Sequence, residues 1–369
     1  MSEDASEAAP SIPVIDLAEL VHHDRAVRAA TAQAIRTGFG EFGLVYLANH
    51  GVDVALRDRL FDQFVAFTDR PEAEKEPLNA AKIWFQRGWT PPNTERAVVA
   101  GGQPDFKECY FAAPVPTESA LSIEYPEICA DNVWPDGPDS DFARDYQTLG
   151  HQLHEAGLSL LQGVAMAMGL VQRTFDRRLE GAPHVFRLLR YLPLNEAQIE
   201  QRVLWGEEHT DFNLLTLLPG GRFLDPDGAP CARPDEGSGL YLRTRSGEKV
   251  RGVAPEGCIV AQVGQQLEIL TGGALLATPH VVTAPRTPGY TRVSGAHFLH
   301  LHPHEMVFPL EPFRTEEAIR AYSPPVLAGT YSMKTLVDIG LAPPTALDGL
   351  GYRHYGRLAD LRAEESPKA

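Results

Sequence analysis

The sequence is poor in cysteine, and the spacing of its cysteines excludes the sites that this residue usually builds. Four cysteines occur in 369 residues, and no two of them form a C-x-x-C motif. A disulfide framework or a cysteine zinc site is therefore not expected. This usage suits a reducing compartment, so we expect a cytoplasmic protein. The four residues are Cys109, Cys129, Cys231 and Cys258.

Long apolar runs are also missing. None reaches the roughly 20 residues that a helix needs to cross a bilayer, so no membrane partner is expected. The first eleven residues, MSEDASEAAPS, are acidic and have no apolar core, which is unlike a secretory signal. We expect residues 1–12 to form a disordered tail and the C-terminal RAEESPKA to be frayed.

Positive charge is scarce. The chain has 33 Lys and Arg against 49 Asp and Glu, which gives a net charge of −16. This overall field repels a phosphate backbone, so a nucleic-acid partner is not expected. Hydrophobic residues make up 43% and charged residues 22% of the chain, which is typical of a folded globular protein. The sequence does not indicate the oligomeric state.

The first half of the chain, residues 13–183, is predicted to be a mixed, mostly helical region. Apolar residues recur at helical spacing, and two short runs rich in β-branched and aromatic residues read as strands. The predicted helices are 18–42, 52–70 and 141–180, and the predicted strands are 13–17 and 44–47.

The pattern changes near His184. Residues 184–310 consist of short β-like runs separated by Gly and Pro, which favours a sandwich or jelly roll over alternating βαβ units. Residues 311–369 are predicted to hold a helical segment, at 315–340, and the tail. The predicted strands are 185–192, 211–218, 239–243, 258–263, 267–271, 278–284 and 291–302.

Residues 222–238, RFLDPDGAPCARPDEGS, interrupt the predicted strands. They are polar and rich in Pro, Gly and Asp, so we interpret them as one weakly held surface loop. Such a loop could be a lid over a site or a surface decoration, and the sequence does not decide between the two.

His209-Thr210-Asp211 is the first candidate for chemistry. On a strand, residues i and i+2 point to the same face, so this pair would present an imidazole and a carboxylate together. With His280 from a later strand, the set would match the facial triad of non-haem iron oxygenases, although His280 taken alone is better explained as a packed core histidine. His22-His23-Asp24 has the same H-x-D spacing but lies in a helical segment, where i and i+2 do not share a face.

Arg292 and Ser294 form a second candidate pair. They share one face of a predicted strand, and a guanidinium beside a hydroxyl offers several donors to one carboxylate. A buried arginine requires an acidic partner, which could be a bound anion or a protein carboxylate that the sequence does not identify.

The order His209-x-Asp211, His280 and Arg292-x-Ser294 resembles the Fe(II)/2-oxoglutarate-dependent dioxygenases, in their isopenicillin N synthase-like subfamily. Further elements are similar to that subfamily and extend the resemblance over roughly residues 13–305. They are PVIDL at 13–17, GLVYLANHG at 43–51, DFKE at 105–108 and LLRYLP at 188–193.

The resemblance implies a mainly β protein, with a double-stranded β-helix (jelly-roll) core and a helical N-terminal region. It also implies that His209, Asp211 and His280 bind iron and that Arg292 and Ser294 bind the cosubstrate 2-oxoglutarate. Tyr191 either lines the pocket or is an ordinary buried aromatic residue.

On the same resemblance, the function is oxidative decarboxylation of 2-oxoglutarate, coupled to C–H oxidation of a small molecule by O₂. That oxidation could be hydroxylation, desaturation or ring formation, as in secondary metabolism. Two alternatives stay open at this point. One is an iron oxidase that needs no 2-oxoglutarate, or an ethylene-forming variant, and the other is a non-catalytic binding protein on the same fold.

Other histidines have weaker claims. His50, in the Asn49-His50-Gly51 turn, is interpreted as structural. His300, His302 and His304 alternate and could form a second metal site, but Pro303 and Glu305 suggest that the strand ends there. We expect His300 to contact the floor of the pocket instead.

Overall fold

A computed structural model describes residues 11–95, 105–203 and 205–350, with side chains to residue 347. Most of the predicted N-terminal tail and all of the C-terminal RAEESPKA lie outside these residues. No helix in the described ranges is long and apolar enough to cross a membrane.

The described residues form ten α-helices, and polar side chains cap the long ones. Asp24, Asp53 and Ser140 each accept a hydrogen bond from a backbone N–H in the first turn of the helix that follows. The helices are α1 (Arg25–Glu41), α2 (Val54–Thr68), α3 (Glu72–Lys75), α4 (Leu121–Glu124), α5 (Asp141–Ala167), α6 (Asp176–Leu179), α7 (Glu196–Glu200), α8 (Gln265–Leu270), α9 (Glu316–Tyr322) and α10 (Ala328–Asp338). Short 3₁₀ helices span Leu17–Val21, Glu76–Leu78, Ala81–Ile83, Glu311–Phe313 and Pro344–Leu350.

Sixteen strands lie between and after these helices in the part of the chain that the structure describes. They are β1 (Val14–Asp16), β2 (Leu44–Ala48), β3 (Gly88–Thr90), β4 (Lys107–Ala112), β5 (Val185–Tyr191), β6 (Gly206–His209), β7 (Leu215–Leu218), β8 (Gly221–Leu224), β9 (Pro230–Cys231), β10 (Gly239–Arg243), β11 (Lys249–Arg251), β12 (Ile259–Val263), β13 (His280–Thr283), β14 (Thr291–Leu299), β15 (Met306–Val307) and β16 (Val326–Leu327).

Two main sheets are built from these strands. The larger has ten strands, in the order β1-β2-β12-β7-β14-β5-β4-β3, with β8 also paired to β14 and β9 paired to β8. The smaller has four strands, in the order β11-β10-β13-β6. The four N-terminal strands β1 to β4 belong to the larger sheet, so the mostly helical first half also extends the β core. The boundary near His184 stays a prediction.

The main hydrophobic core lies between helices and the larger sheet. Helix α5 packs against α1 and α2 and against strands β7 and β14. Its buried face includes Leu153, Leu160 and Leu161, and none of these side chains is accessible to solvent. A second apolar cluster lies between the two sheets and includes Tyr191, Trp205 and Val282. The smaller sheet thus packs against one face of the larger sheet, and apolar side chains from both sheets lie between them.

Most of the predicted elements are confirmed, but two strands are placed differently. Residues 267–271 are not a strand, because the chain forms helix α8 there and buries Leu267 and Leu270, which are three residues apart, on one face. The predicted strand 211–218 begins only at Leu215. Residues 210–214 instead cross from the smaller to the larger sheet, so His209 ends one strand and Asp211 lies in the connection.

The interpretation of 222–238 as one weakly held loop is wrong for its first part. Strand β8 pairs with β14 in antiparallel register, and β9 pairs with β8. Phe223 and Leu224 are only 8% and 3% exposed. Pairing with a central strand and burial of two apolar side chains therefore anchor this segment as a hairpin.

Candidate active site

Two histidines meet where two strands of the smaller sheet are paired. His209 is the last residue of β6, His280 is the first residue of β13, and the two are direct cross-strand partners. Their ring centroids lie 4.4 Å apart. The antiparallel pairing therefore joins two imidazoles that are far apart in the sequence.

A backbone carbonyl fixes the orientation of each imidazole. Nδ1 of His209 lies 2.7 Å from the carbonyl oxygen of Glu207, and Nδ1 of His280 lies 3.2 Å from that of Thr278. Because a carbonyl oxygen only accepts, each neutral ring carries its proton on Nδ1 and donates it. This places the lone pair on Nε2 of both rings, as a metal-binding histidine requires. Nε2 of His280 also lies 3.4 Å from Nε2 of Gln262.

Buried hydrogen bonds hold the carboxylate of Asp211. Its Oδ2 accepts from Thr216 Oγ1 and from Gln262 Nε2, both at 2.6 Å. Its Oδ1 lies 3.7 Å from Nε2 of His209 and 3.8 Å from Nε2 of His280. One oxygen is thus anchored, and the other faces both imidazoles.

These three residues form a group with the geometry of a metal centre. One donor atom from each lies within 4.8 Å of the donor atoms of the other two. No other group of three such side chains was found among the residues that the structure describes. Two imidazoles and one carboxylate are the donor set that non-haem Fe(II) uses in its facial triad.

The protein environment sets charge states that suit a cation. Removal from bulk water, together with the neighbouring His280, lowers the pKa of His209 to about 4. Burial alone would raise the pKa of Asp211. The two imidazoles and the hydrogen bonds from Thr216 and Gln262 outweigh that effect and lower it. His209 is therefore neutral and Asp211 ionised near neutral pH.

A cavity of about 440 Å³ opens beside the three residues, between the two main sheets. Arg292 and Ser294, alternate residues of β14, both line it, and Nη1 of Arg292 donates to Oγ of Ser294 at 3.0 Å. No carboxylate in the described residues forms an ion pair with this guanidinium. Burial is also the main cause that lowers the pKa of Arg292. The cavity therefore holds a cationic group without an anionic partner from the described chain.

Tyr191 also lines the larger cavity. Its ring stacks on Trp205 at a centroid distance of 5.4 Å, and the guanidinium of Arg292 lies 5.6 Å from the Tyr191 ring centre. Burial raises the pKa of its hydroxyl. Tyr191 is therefore a buried aromatic residue that lines the cavity, and the face of its ring contacts the guanidinium of Arg292.

A second cavity of about 170 Å³ lies on another side of the same centre. It shares His209 and Asp211 with the larger cavity. Its other walls come from both sheets, from the connection after β6, from α8 and from the C-terminal region. His300 lines it beside Phe212, with the two ring centroids 5.3 Å apart, as expected for a residue at the pocket floor. The apolar lining comprises Phe111, Val185, Phe212, Phe298, Leu336, Ile339 and Leu341.

Sequence reasoning missed a network of charged side chains between the two cavities, in which Lys107 and Arg187 line both of them. Lys107 Nζ lies 3.0 Å from Glu95 Oε2, Lys107 also pairs with Asp105, and Arg187 pairs with Glu95. The available signal was the charged residue Arg187 within the apolar strand VFRLLRY. Glu95 lies in no regular element, so nothing in its local sequence indicates this role.

The neighbouring Glu108 points away from the cavities. Its Oε2 accepts from Lys75 Nζ and from Trp89 Nε1, both at 2.8 Å, in a buried cluster. Two neighbouring residues of the DFKE element therefore have different roles. Lys107 lines the site, whereas Glu108 stabilises the buried cluster with Lys75 and Trp89.

The structure does not bring the remaining histidines to the metal group. His50 Nδ1 accepts from the backbone N–H of Val52 at 3.0 Å within its turn. His302 and His304 lie 3.1 and 2.6 Å from carboxylates of Glu118 and Glu124, so the described residues do not form the second metal site that their spacing suggested. His22 accepts from the N–H of Asp24 at an exposed helix start.

Two family models match this chain. Residues 12–137 match the model described as non-haem dioxygenase in morphine synthesis N-terminal, and residues 184–301 match that of the 2OG-Fe(II) oxygenase superfamily.

Curated relatives carry consistent names. The 2-oxoglutarate-dependent dioxygenase frbJ of Dothideomycetidae sp. (strain 11243) is 24% identical over 286 residues, which cover 77% of this chain and 72% of the relative. A leucoanthocyanidin dioxygenase of Malus domestica is 24% identical over 280 residues, covering 75% of this chain and 70% of the relative.

Solved structures confirm the predicted fold. A 2OG-Fe(II) oxygenase family protein of Caulobacter crescentus is 26% identical, with a TM-score of 0.72 and coverage of 89% of this chain and 99% of that chain. A full-length protein of Neurospora crassa, solved in complex with alpha-KG, is 22% identical, with a TM-score of 0.71 over 88% of this chain and 96% of that chain. The mainly β jelly-roll core with a helical N-terminal region is thus confirmed.

The names of the relatives support the 2-oxoglutarate-dependent hypothesis and neither of its two alternatives. The three-residue donor group and the unpartnered Arg292 fit the same chemistry. The chain belongs to the 2OG-Fe(II) oxygenase superfamily, and it is an Fe(II)- and 2-oxoglutarate-dependent dioxygenase that uses O₂ to oxidise a small molecule.

Proposed function

We propose that His209, Asp211 and His280 bind the ferrous ion, each through one donor atom. The observation that carries this assignment is the mutual proximity of Nε2, Oδ1 and Nε2 within 4.8 Å. Both imidazoles have their Nδ1 engaged by a carbonyl, and the carboxylate has its other oxygen anchored. Each residue therefore offers the atom that faces the other two.

Arg292 and Ser294 are assigned to the distal carboxylate of 2-oxoglutarate. An ionised carboxylate accepts well from a guanidinium and a hydroxyl together. Arg292 lacks a carboxylate partner in the described chain, and the cosubstrate supplies one. Tyr191, beneath the guanidinium, has a positioning role for Arg292.

The chain's own residues position the reactants and keep the site dry. When bound, the iron and 2-oxoglutarate supply the oxidising chemistry, in which decarboxylation to succinate and CO₂ accompanies oxidation of a C–H bond. Asp211 and the two imidazoles hold one side of the centre and leave the cavity side open. Leu189, Leu218 and Val260 line the larger cavity with apolar surface, which limits the access of water.

The second cavity is the proposed position of the substrate. Its aromatic and aliphatic walls fit the apolar body of a small molecule. The Lys107–Glu95–Arg187 network offers both donors and acceptors to a polar edge. We therefore favour a small, flat substrate with one hydrogen-bonding edge. A screen of aromatic metabolites, with amino acids and small peptides for comparison, tests this through substrate-stimulated release of succinate.

The metal assignment is tested by Asp211→Ala. Removing the only anionic ligand should weaken Fe(II) binding by on the order of 100-fold or more. This exceeds the roughly 10- to 100-fold loss of metal affinity that follows removal of a residue that only supports a ligand. Iron retained after anaerobic reconstitution and gel filtration measures this, and succinate formation should be lost in parallel. Circular dichroism checks that the fold persists.

His22→Ala is the matched control, because His22 lies at the other H-x-D motif and lines neither cavity of the site. Its iron content and turnover should equal those of the wild type. Wild-type iron retention and turnover in Asp211→Ala would show that the metal lies elsewhere.

We also propose a cytoplasmic location. All four cysteines are free thiols in this structure, and Cys109 and Cys129 are buried. Unpaired cysteines are typical of proteins that function in a reducing compartment.

A further inference from the structure

Arg233 is one of four arginines that line the larger cavity, and the site described above gives it no role. It lies two residues beyond β9, in segment 222–238, and its side chain lines the cavity together with Arg292. Its Nη1 is buried and has no hydrogen-bond partner. No ion pair joins Arg233 to any carboxylate in the described ranges.

The other cations of this cavity are compensated. Arg57 pairs with Asp58 at 2.7 Å, and Lys107 and Arg187 both pair with Glu95. Of the cationic side chains that line the cavity, Arg233 and Arg292 are the two that form no ion pair with a carboxylate of the described residues. Two acidic residues also line the cavity. Asp211 belongs to the group of three proposed metal ligands, and Glu256 is exposed to solvent.

The hairpin places these two arginines at the same end of the cavity. Strand β8 is hydrogen-bonded to β14, with Gly221 opposite Ser294 and Phe223 opposite Arg292. The backbone approaches the guanidinium so closely that a Cβ on Gly221 would lie 2.8 Å from Nη2 of Arg292. The segment that carries Arg233 is therefore built directly onto the strand that carries Arg292 and Ser294.

Two like charges in a poorly hydrated site repel each other, and an anion between them removes this cost. The field of Arg233 adds to the effect of burial in lowering the pKa of Arg292, so the two charges lie close enough to interact. A carboxylate has two oxygens and about four lone-pair positions, enough to accept from two guanidinium groups and a hydroxyl.

We propose that Arg233 is a second binding residue for the distal carboxylate of 2-oxoglutarate, which it approaches from segment 222–238, opposite Arg292 and Ser294. The proposal rests on the proposed function, in which that carboxylate occupies this end of the cavity. It gives segment 222–238 a role in cosubstrate recognition, in place of the lid or decoration between which the sequence did not decide.

The test compares two ligands that differ only at the distal end. 2-Oxoglutarate carries the distal carboxylate, and 2-oxopentanoate has the same 2-oxo acid group but a methyl group instead. Isothermal titration calorimetry on Fe(II)-loaded protein without O₂ gives both dissociation constants. For Arg233→Gln we expect 2-oxoglutarate to bind roughly 10- to 100-fold more weakly and 2-oxopentanoate to bind as in the wild type.

Arg222→Gln is the matched control, because Arg222 lies in the same hairpin but pairs with Asp62 outside the cavity. It should leave both constants unchanged. Arg233→Lys keeps the charge but not the planar fork, so its affinity for 2-oxoglutarate should lie between those of wild type and Arg233→Gln. If Arg233→Gln does not fold, Arg233→Lys still tests the proposal.

Unchanged affinity for 2-oxoglutarate in Arg233→Gln, or an equal loss for both ligands, overturns the proposal. Arg292→Gln separates this failure from failure of the proposed function. If Arg292→Gln loses 2-oxoglutarate selectively and Arg233→Gln does not, only the role of Arg233 is wrong. If Arg292→Gln shows no selective loss, the assigned carboxylate position is wrong, and the role of Arg233 fails with it.

Discussion

At the residue scale, the proposed metal centre depends on polar side chains that are not among its three proposed ligands. Thr216 and Gln262 lie in β7 and β12, in the middle of runs that are otherwise apolar. Both donate to Oδ2 of Asp211, and this leaves Oδ1 directed at the imidazoles. A lone polar residue in a buried strand was the sequence signal for this role, although the sequence does not show which group it meets.

Thr216→Val should weaken metal binding while keeping the fold. Valine has nearly the same shape but removes the hydroxyl that holds Oδ2, and loss of such a supporting hydrogen bond typically costs 10- to 100-fold in metal affinity. The stability cost should be about 1–2 kcal/mol, because Gln262 still satisfies the oxygen. Anaerobic titration with Co(II), as a stable substitute for Fe(II), measures the affinity.

Thr283→Val provides the comparison. Thr283 lies on β13 near His280, but its hydroxyl donates to the carbonyl of Gly239 and not to the metal group. Its metal affinity should match that of the wild type. Equal affinities in the two valine variants would mean that Asp211 does not need Thr216 for its orientation.

At the element scale, the sequence predicted most strands and helices but not how the chain passes between sheets. His209 and Asp211 were expected on one strand face, yet the strand ends at His209 and the chain crosses to the other sheet before β7. The two side chains converge because β6 pairs with β13 and because Thr216 and Gln262 hold Asp211. Such contacts join residues distant in sequence, so local periodicity does not contain them.

The hairpin of β8 and β9 was hidden for a related reason. Its composition is rich in turn residues, which favours a loop, whereas pairing with β14 is a tertiary interaction that overrides local preference. The short run at 267–271 was ambiguous in itself, since a few apolar residues fit a strand or one helical turn equally well.

Phe223→Ala tests whether the hairpin is anchored. Phe223 is 8% exposed and packs 6.2 Å from the Trp205 ring, measured between centroids. Truncation of a buried phenylalanine should lower the free energy of unfolding by roughly 3–5 kcal/mol. Urea unfolding followed by tryptophan fluorescence measures the loss.

Asp227→Ala, at the exposed turn of the same hairpin, should stay within about 0.5 kcal/mol of the wild type. If Phe223→Ala is as mild as this control, the segment is held as weakly as its composition suggested.

At the scale of the whole molecule, buried histidines connect the helical and β parts. His154 on α5, His184 before β5 and His297 on β14 lie together, with ring centroids 4.6 Å apart for His154 and His184 and 5.6 Å for His154 and His297. Nδ1 of His297 lies 3.2 Å from the carbonyl of Val185, and Nε2 of His184 lies 3.0 Å from that of Leu179. The cluster therefore joins the main helix to two central strands.

Burial, with repulsion from neighbouring histidines as a smaller cause, makes this cluster sensitive to acid. It lowers the pKa of His184 and His297 well below the ordinary value, and that of His154 to about 4. The folded protein thus keeps these rings neutral, whereas the unfolded chain protonates them below about pH 6.5. The unfolded state then binds more protons, so their contribution to stability is complete above that pH and is lost as the pH falls.

His154→Phe should therefore flatten the dependence of stability on pH. Between pH 7.5 and 5.5, each such histidine should account for a fall of about 1.4 kcal/mol in the free energy of unfolding, and the variant lacks one of them. Urea unfolding at the two pH values gives this difference, and any packing cost of the larger ring affects both values equally. The exposed His23→Phe should keep the wild-type pH dependence. If His154→Phe loses as much stability on acidification as the wild type, His154 is not held neutral in the folded protein, and acid sensitivity must come from the many carboxylates instead.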